Sequence, residues 1–223
     1  MTTHIETLYR HFVQSCGVTT DTRRCEPGMM FFALRGDNFD GNSYAAKALE
    51  MGCSCVVVDN PQYVVEGDGR ILLVEDSLKA LQQMARHHRR QLGTPIVGIT
   101  GTNGKTTTKE LVAAVLAKRY HILYTQGNLN NHIGVPLTLL GLTREHEMAI
   151  VEMGANHPGD IKELVDIAEP DYGLITNVGL AHLQGFGSLE GVIHTKGEMY
   201  DYLRTTPRRT IFLNRDNEYL KGI

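Results

Sequence analysis

One segment of the chain combines glycines, a lysine and hydroxyl side chains in an order that suits phosphate binding. It reads Gly98-Ile99-Thr100-Gly101-Thr102-Asn103-Gly104-Lys105-Thr106-Thr107. A short β-branched stretch precedes it, and apolar residues at helical spacing follow it, at Leu111, Val112, Val115 and Leu116. The segment is therefore predicted to join a strand to a helix N-terminus. There, backbone N–H groups and the helix dipole would face phosphate oxygens, Lys105 would add a cation, and the Thr106 hydroxyl would reach Mg²⁺.

The spacing of this loop differs from the common phosphate-loop pattern. That pattern would place its first glycine at position 99, which is Ile99, whereas the glycine stands one position earlier, at Gly98. The lysine, the hydroxyl group and the flanking elements are all present, so the loop still predicts a nucleoside triphosphate site. The residues predicted to bind the nucleotide are Gly101, Thr102, Asn103, Gly104, Lys105, Thr106 and Thr107.

Two more candidate side chains follow predicted strands, and a third lies in a predicted helix. Glu152 ends the apolar stretch 148–152, and a strand-end carboxylate beside a phosphate loop is a common second anchor for Mg²⁺. A solvent-facing glutamate is the alternative. His182 could be a metal ligand or a phosphate donor, although spacing alone favours an ordinary loop histidine. Lys196 lies in a predicted helix, where a surface lysine is the alternative.

Two polar segments are candidates for substrate binding. Hydroxyl and arginine side chains in Thr20-Asp21-Thr22-Arg23-Arg24 suit an acidic, hydroxyl-rich ligand, and a capped turn is the alternative. The amides of Asn128-Leu129-Asn130-Asn131 offer donors and acceptors to a polar substrate, although such turns are common.

Composition excludes several classes of function. The 223 residues carry a formal net charge of −3, which gives no electrostatic basis for a nucleic-acid surface. No apolar run approaches the roughly 18 residues of a membrane span, and no signal-peptide core begins the sequence, so a cytoplasmic protein without membrane insertion is expected. The four cysteines lack a second ligand pair at zinc-site spacing and are expected to be free thiols.

The order of predicted elements indicates an α/β protein with two domains. The boundary falls at Gly93-Thr94-Pro95, which gives a small α/β domain at 1–93 and a phosphate-loop domain at 94–223. In the second domain, strands are predicted at 96–100, 148–153, 172–178 and 210–214, and helices at 105–119, 159–168 and 189–203. This alternation predicts a mainly parallel sheet, with ligands beyond the carboxyl ends of its strands.

Taken in order, these segments resemble the Mur ligase family. The run 152–157 and the amide-rich run favour the member that joins D-alanyl-D-alanine to a UDP-N-acetylmuramoyl-tripeptide. The resemblance spans nearly the whole chain. It rests on Thr20-Asp21-Thr22-Arg23, the loop 98–107, Gly127-Asn128-Leu129-Asn130-Asn131, Glu152-Met153-Gly154-Ala155-Asn156-His157, Ala181-His182-Leu183 and Lys196-Gly197-Glu198.

The resemblance implies roles for the candidate residues. Lys105 would hold the β- and γ-phosphates of ATP. Thr106 and Glu152 would bind one Mg²⁺, and a second Mg²⁺ would be held by His182 with Lys196 in carbamylated form, since a carbamate is an oxygen-donor anion. The implied contacts to substrates are Thr22 and Arg23 on the UDP-sugar, Asn130 and Asn131 along the substrate path, and Asn214 on the adenine side.

The implied reaction is an ATP-dependent ligation through an acyl phosphate in peptidoglycan synthesis, by a monomer. The resemblance also implies that the central domain is incomplete here and that the family's C-terminal domain is absent. Since closure of that domain assembles the acceptor site, the isolated chain is expected to bind UDP-sugar and nucleotide without turnover. A related amino-acid ligase acting on another carboxylate, such as a folate or cyanophycin type, is the remaining alternative, and the Thr20–Arg23 segment argues against it.

Overall fold

The computed structural model describes residues 2–179 and 183–223, and the side chains of these residues except Leu183 and Gln184. Contacts between residues divide the chain into two compact units, Met1–His88 and Arg89–Ile223. The division falls inside a helix, a few residues before the boundary expected from the sequence. The assignment of domains to 1–93 and 94–223 stays a prediction.

In the described part of the first unit, four parallel strands form a sheet in the order β1-β2-β5-β6. The antiparallel hairpin β3–β4 is separate from that sheet. The elements are α1 (Ile5–Gln14), β1 (Val18–Thr19), β2 (Met30–Phe32), β3 (Arg35–Gly36), β4 (Phe39–Asp40), α2 (Ala45–Glu50), β5 (Cys55–Val58), β6 (Ile71–Leu73) and α3 (Ser77–Leu92).

The central strands of this sheet are apolar throughout and buried throughout. Every residue of β2 and β5 is buried, as expected for parallel strands covered on both faces. Cys53 and Cys55 belong to this interior, and burial raises the pKa of their thiols to about 12 and about 11. All four cysteines lie in the described part of the chain and are free, as the sequence predicts.

Among the described residues of the second unit, five parallel strands form a sheet in the order β11-β10-β7-β9-β8. The predicted α/β fold with a mainly parallel sheet is confirmed. The elements are β7 (Ile96–Thr100), α4 (Lys105–Leu116), β8 (Ile122–Tyr124), α5 (Gly134–Leu140), β9 (Met148–Glu152), α6 (Asp160–Ala168), β10 (Tyr172–Ile175), α7 (Leu183–Phe186), α8 (Leu189–Arg204), β11 (Thr210–Phe212) and α9 (Glu218–Gly222).

Strand β7 occupies the middle of the second sheet. All five of its residues are buried between β10 and β9, so the loop that follows it starts from a fixed position. Because the strands are parallel, the residues after β7, β9 and β10 leave the sheet at one edge. This edge carries the predicted phosphate loop, Glu152 and the segment 176–179.

The helix that the sequence predicts after the phosphate loop is present as α4. Its apolar residues Leu111 and Val115 are 63% and 71% exposed. The residues of the helix that are buried are Lys109 and Ala113. The short strand β8 and the helix α5, which lie between α4 and β9 in the chain, were not predicted from the sequence.

In residues 2–179 and 183–223, no helix has both the length and the apolar character required to cross a membrane.

Candidate functional site

The loop between β7 and α4 depends on two glycines with unusual backbone conformations. Gly104 precedes the helix with φ 77°, in the left-handed region that glycine adopts without a steric penalty. Gly101 has φ 142°, and a Cβ atom there would lie 2.0 Å from the Thr176 hydroxyl oxygen. The loop can therefore pack against the segment after β10 only because position 101 has no side chain.

The backbone amides of this loop fall into two groups. The N–H groups of Thr102 and Asn103 donate to the backbone oxygen and the side-chain oxygen of Asn177, both at 3.0 Å. The first helical hydrogen bond runs from the Thr108 N–H to the Gly104 oxygen. The amides of residues 104–107 therefore point beyond the helix N-terminus, where they and the helix dipole can attract an anion.

Lys105 adds a cation to this N-terminus. Its ammonium group donates to the backbone oxygens of Gly101 and Thr102 at 2.8 and 3.1 Å, so it lies over the loop. Burial lowers its pKa, while the charge of Glu152 acts in the opposite direction. A partly desolvated ammonium attracts an anion more strongly than one surrounded by water.

Glu152 ends β9 with a buried carboxylate. One oxygen, Oε1, accepts hydrogen bonds from the Asn130 amide at 2.8 Å and the Thr106 hydroxyl at 3.3 Å. The other oxygen, Oε2, is buried and has no hydrogen-bond partner among the described residues. Burying an unpartnered charged oxygen is costly, so this atom is suited to a cation.

Lys196 occupies the middle of α8 and is almost completely buried, with 2% of its surface exposed. Its ammonium lies 5.7 Å from the centre of the Phe186 ring. Burial and the positive charge of Lys105 lower its pKa to about 8, against the opposing effect of Asp160 and Glu198. A larger fraction of this amine is neutral at physiological pH than is usual for lysine.

Glu198, in the same motif as Lys196, holds the start of α6. Its carboxylate oxygens accept from the N–H groups of Gly159 and Lys162 at 2.8 and 2.7 Å. The Asp160 carboxylate accepts from the N–H groups of Asn156 and His157. These bonds order the segment between β9 and α6, which forms a wall of the neighbouring cleft.

A cleft of about 330 Å³ opens beside the phosphate loop. Its lining includes Lys105, Asn130, Asn131 and the segment 154–157. Asn131 also has a local role, because its side-chain oxygen accepts from the N–H groups of Ile133 and Gly134 at the start of α5. A smaller cavity is lined by residues that include Gly101, Thr102, Lys105 and Lys196, so both lysines border the same space.

Two further predicted site residues remain. His182 lies outside the described residues. Asn214 is exposed after β11, and its side-chain oxygen accepts from the Asp216 N–H at 3.0 Å. Within the described ranges, no three His, Cys, Asp or Glu residues are grouped so that they could hold a metal.

The second candidate site belongs to the first unit. A cleft of about 470 Å³ is lined by residues that include the run 20–23, which contains Thr22 and Arg23. The Arg23 guanidinium pairs with the Asp21 carboxylate at 2.7 Å and is 87% exposed. This pairing lowers the pKa of Asp21 to about 2.

Two exposed aromatic side chains and a lysine also line this cleft, and none of them was a candidate from the sequence. Phe39 and Tyr44 are 59% and 45% exposed, which is unusual for aromatic residues, and Lys47 lies on the same face of the chain as Tyr44. The i, i+3 spacing of Tyr44 and Lys47 was visible in the sequence. The position of Phe39 beside them depends on the β3–β4 hairpin, which local sequence did not predict.

Comparison with family models gives two matches in chain order. Residues 15–89 match a model described as the catalytic domain of the Mur ligase family. Residues 99–223 match the Mur ligase middle domain, and this second match covers more than half of the chain. The matches therefore include both candidate sites.

Individual proteins give the same result. A UDP-N-acetylmuramoyl-tripeptide–D-alanyl-D-alanine ligase from Synechocystis is 47% identical over 206 residues, which are 91% of this chain and 44% of that protein. MurF from Acinetobacter baumannii has a TM-score of 0.87 at 32% identity, over 98% of this chain and 50% of that one. MurF ligase from Thermotoga maritima, solved in complex with ADP, has a TM-score of 0.78 at 32% identity, over 91% and 50%.

The chain thus spans about half the length of the relatives it matches. Within that span, the similarity includes the strand–loop–helix unit around Lys105, the strand that ends at Glu152 and the helix that carries Lys196. On the strength of the family matches and of this identity, the chain belongs to the Mur ligase family.

Proposed function

We propose that the protein uses ATP to join D-alanyl-D-alanine to a UDP-N-acetylmuramoyl-tripeptide. The names of relatives at 43–47% identity support this substrate pair. The observation that carries the proposal is the Glu152 carboxylate at the phosphate loop: Oε1 accepts from the Thr106 hydroxyl, and the buried Oε2 has no partner among the described residues. A carboxylate oxygen left in this state fits a site for a metal-bound triphosphate.

ATP would bind at the start of α4. The amides of residues 104–107 offer donors to its phosphates, and the Lys105 ammonium can exchange its two carbonyl partners for phosphate oxygens. The relative from Thermotoga maritima solved with ADP supports this assignment. Asn214 stays a prediction for the adenine side.

The residues at the loop also fit Mg²⁺. Magnesium in nucleotide sites takes one or two carboxylates and completes its coordination with phosphate oxygens and water. Glu152 supplies the carboxylate and Thr106 the hydroxyl group, while Asn130 fixes Glu152 through Oε1. When bound, the ion would neutralise charge on the phosphates and so favour attack by an anion.

A second metal site would involve Lys196. Its amine is buried and its pKa is lowered to about 8, so a neutral fraction is available to react with CO₂. Deprotonation of the ammonium releases one proton, and formation of the N–C bond between the neutral amine and CO₂ releases a second. The result is a carbamate, so that a cation is replaced by an anionic oxygen donor. We propose this modification for Lys196, with His182 as its partner ligand.

The reaction would then proceed in two steps. The terminal carboxylate of the tripeptide attacks the γ-phosphorus of ATP, ADP leaves, and an acyl phosphate forms. The amine of D-alanyl-D-alanine next attacks the acyl carbon, and phosphate leaves as the peptide bond forms. Lys105 and the loop amides reduce the repulsion between carboxylate and triphosphate, while Asn130 and Asn131 line the cleft for the peptide.

The cleft of the first unit would hold the UDP-sugar. Thr22 and Arg23 offer a hydroxyl group and a guanidinium to its phosphates and sugar, and Lys47 adds a second cation at the same cleft. The exposed rings of Phe39 and Tyr44 could stack on a planar base. A cytoplasmic location and a monomeric state, both expected from the sequence, stay predictions.

Phosphate release by the full-length protein tests the proposed function. With MgATP and UDP-N-acetylmuramoyl-tripeptide present, we expect release that depends on D-alanyl-D-alanine. Release that ignores the dipeptide contradicts the proposal. Release driven instead by another carboxylate substrate supports the related amino-acid ligase, and UDP-sugar binding without any release supports the binding module.

A further inference from the structure

Lys109 is a charged residue in a position where a side chain of α4 would be expected to be apolar. Its side chain has 0% exposure. The ammonium donates to the backbone oxygen of Thr125 at 2.7 Å and lies 2.9 Å from the Glu110 carboxylate and 5.7 Å from the centre of the Tyr124 ring. A buried ammonium is costly unless such partners surround it. The partners of Lys109 therefore identify the segment that it stabilises.

The main partner, Thr125, connects Lys109 to the phosphate site. Thr125 is itself fully buried, and its hydroxyl oxygen accepts from the Glu152 N–H at 3.0 Å. Its own N–H donates to the Ile150 oxygen at 3.0 Å. Thr125 therefore joins the end of β8 to the last residues of β9, at the point where the Glu152 carboxylate leaves the sheet.

Thr125 also begins the loop that carries Asn130. The Asn130 amide donates to Glu152 Oε1 at 2.8 Å, and its backbone oxygen accepts from the Gly154 N–H at 2.7 Å. The loop 125–130 is thus attached to the strand end of β9 at both of its ends. The Lys109 ammonium holds the first of these attachments from the side of α4.

We infer that Lys109 is a positioning residue that sets the Glu152 carboxylate against the Thr106 hydroxyl through Thr125. Lys109 and Thr106 lie three residues apart on α4, so one helix supplies both a candidate metal ligand and the cation that fixes the strand opposite. This inference rests on the proposed function of Glu152. It adds a residue that lines neither of the two cavities at the phosphate loop.

Removing the ammonium leaves the Thr125 oxygen without its buried donor. Partners that orient a metal ligand typically change metal affinity 10- to 100-fold when they are lost, so we expect a loss of about that size in Lys109→Met. Lys109→Gln, which retains a neutral donor, should lie between Lys109→Met and the wild type. The effect should raise the Mg²⁺ concentration needed for half-maximal rate more than it lowers the rate at saturating Mg²⁺.

The experiment combines two measurements on the full-length protein. Electron paramagnetic resonance measures Mn²⁺ affinity in the presence of ADP, and hydrogen exchange measures protection of the amides in 125–131 and 152–154. Lys109→Met should lower the Mn²⁺ affinity and increase the rate of hydrogen exchange in both segments. Lys118→Met, which removes an exposed lysine just beyond the same helix, is the matched control and should behave as wild type.

Thr125→Val keeps the branched shape but removes the acceptor for the Glu152 N–H, so it replaces Lys109→Met if that variant does not fold. If the variant that folds has the Mn²⁺ affinity and the hydrogen-exchange rates of the wild type, the inference is overturned. If the wild type binds no Mn²⁺ with ADP, the proposed function fails. In that case the exchange measurement still decides whether Lys109 orders these segments.

Discussion

The two candidate sites of this protein differ in how far their charged side chains are buried. At the phosphate loop, Glu152 and Lys196 are 1% and 2% exposed, and one carboxylate oxygen is buried without a partner among the described residues. In the cleft of the first unit, the Arg23 side chain is 87% exposed and already paired with Asp21. Under the proposed function, the first of these sites would carry the reaction and the second would bind the substrate.

The physical reason lies in the surrounding solvent. Charges removed from water interact several times more strongly than exposed charges, which water and salt screen. If the proposed function is right, the buried groups of the second unit would change the energy of a transferring phosphate, whereas an exposed pair would contribute little. We expect substitutions at the phosphate loop to alter turnover and substitutions in the first cleft to alter substrate affinity.

Lys196→Ala should have the largest effect and abolish turnover, because alanine can form no carbamate. Added bicarbonate should restore nothing in this variant. Phosphate release by the full-length protein measures both, and full activity would remove Lys196 from the site.

The lowered pKa of Lys196 also gives a pH dependence. The neutral amine is the form that reacts with CO₂, and with a pKa of about 8 its fraction rises from roughly one tenth at pH 7 to half at pH 8. Carbon-13 spectra with labelled bicarbonate should therefore show more carbamate as the pH rises through this range. A signal that is the same in Lys196→Ala would contradict the assignment.

Lys105→Ala should lower kcat by about 10²- to 10³-fold, the usual cost of removing one fixed donor from a developing charge. Lys118→Ala is the control, since its side chain is exposed beyond the end of α4. Equal rates for the two variants would show that Lys105 does not act on the phosphates.

Arg23→Ala should raise the KM for the UDP-sugar about tenfold and leave kcat unchanged, because one charge-assisted hydrogen bond is lost at an exposed position. A fall in kcat with an unchanged KM would remove the distinction between the two sites.

The smallest effect is expected from pH acting on the first cleft. Pairing with Arg23 keeps the pKa of Asp21 near 2, below its unfolded value, so this carboxylate is ionised at every pH above about 4. The contribution of the Asp21–Arg23 ion pair to stability is lost only as the pH falls toward 2. UDP affinity measured by calorimetry should therefore show no Asp21-dependent change between pH 5 and 9, and a step that Asp21→Asn removes would contradict this.

Local sequence predicted those parts of the molecule whose geometry is local. The glycines and Lys105 define a strand–loop–helix turn within ten residues, and the structure contains it. Parallel strands end at the same edge of the sheet, and this rule correctly predicted that Glu152 lies beside that turn. The family resemblance, rather than spacing, suggested a role for Lys196, because its burial depends on packing between α8 and distant elements.

Contacts between distant segments account for what the sequence did not predict. Helical spacing predicted α4 but not which of its faces is buried. Leu111 and Val115 are exposed, whereas Lys109 is buried and donates to the Thr125 oxygen, 16 residues away. Asn130 was expected along the substrate path, and only the fold shows that its amide also holds Glu152. The aromatic residues of the first cleft were likewise missed, since a hairpin brings them together.

A crystal structure with Mn²⁺ and a non-hydrolysable ATP analogue tests the central claim most directly, because anomalous scattering locates the metal. We expect the ion about 2 Å from a Glu152 oxygen and from Thr106 Oγ1, with the terminal phosphates within hydrogen-bonding distance of Lys105. A nucleotide bound elsewhere, or a metal that leaves Glu152 Oε2 without a partner, would contradict the proposed site.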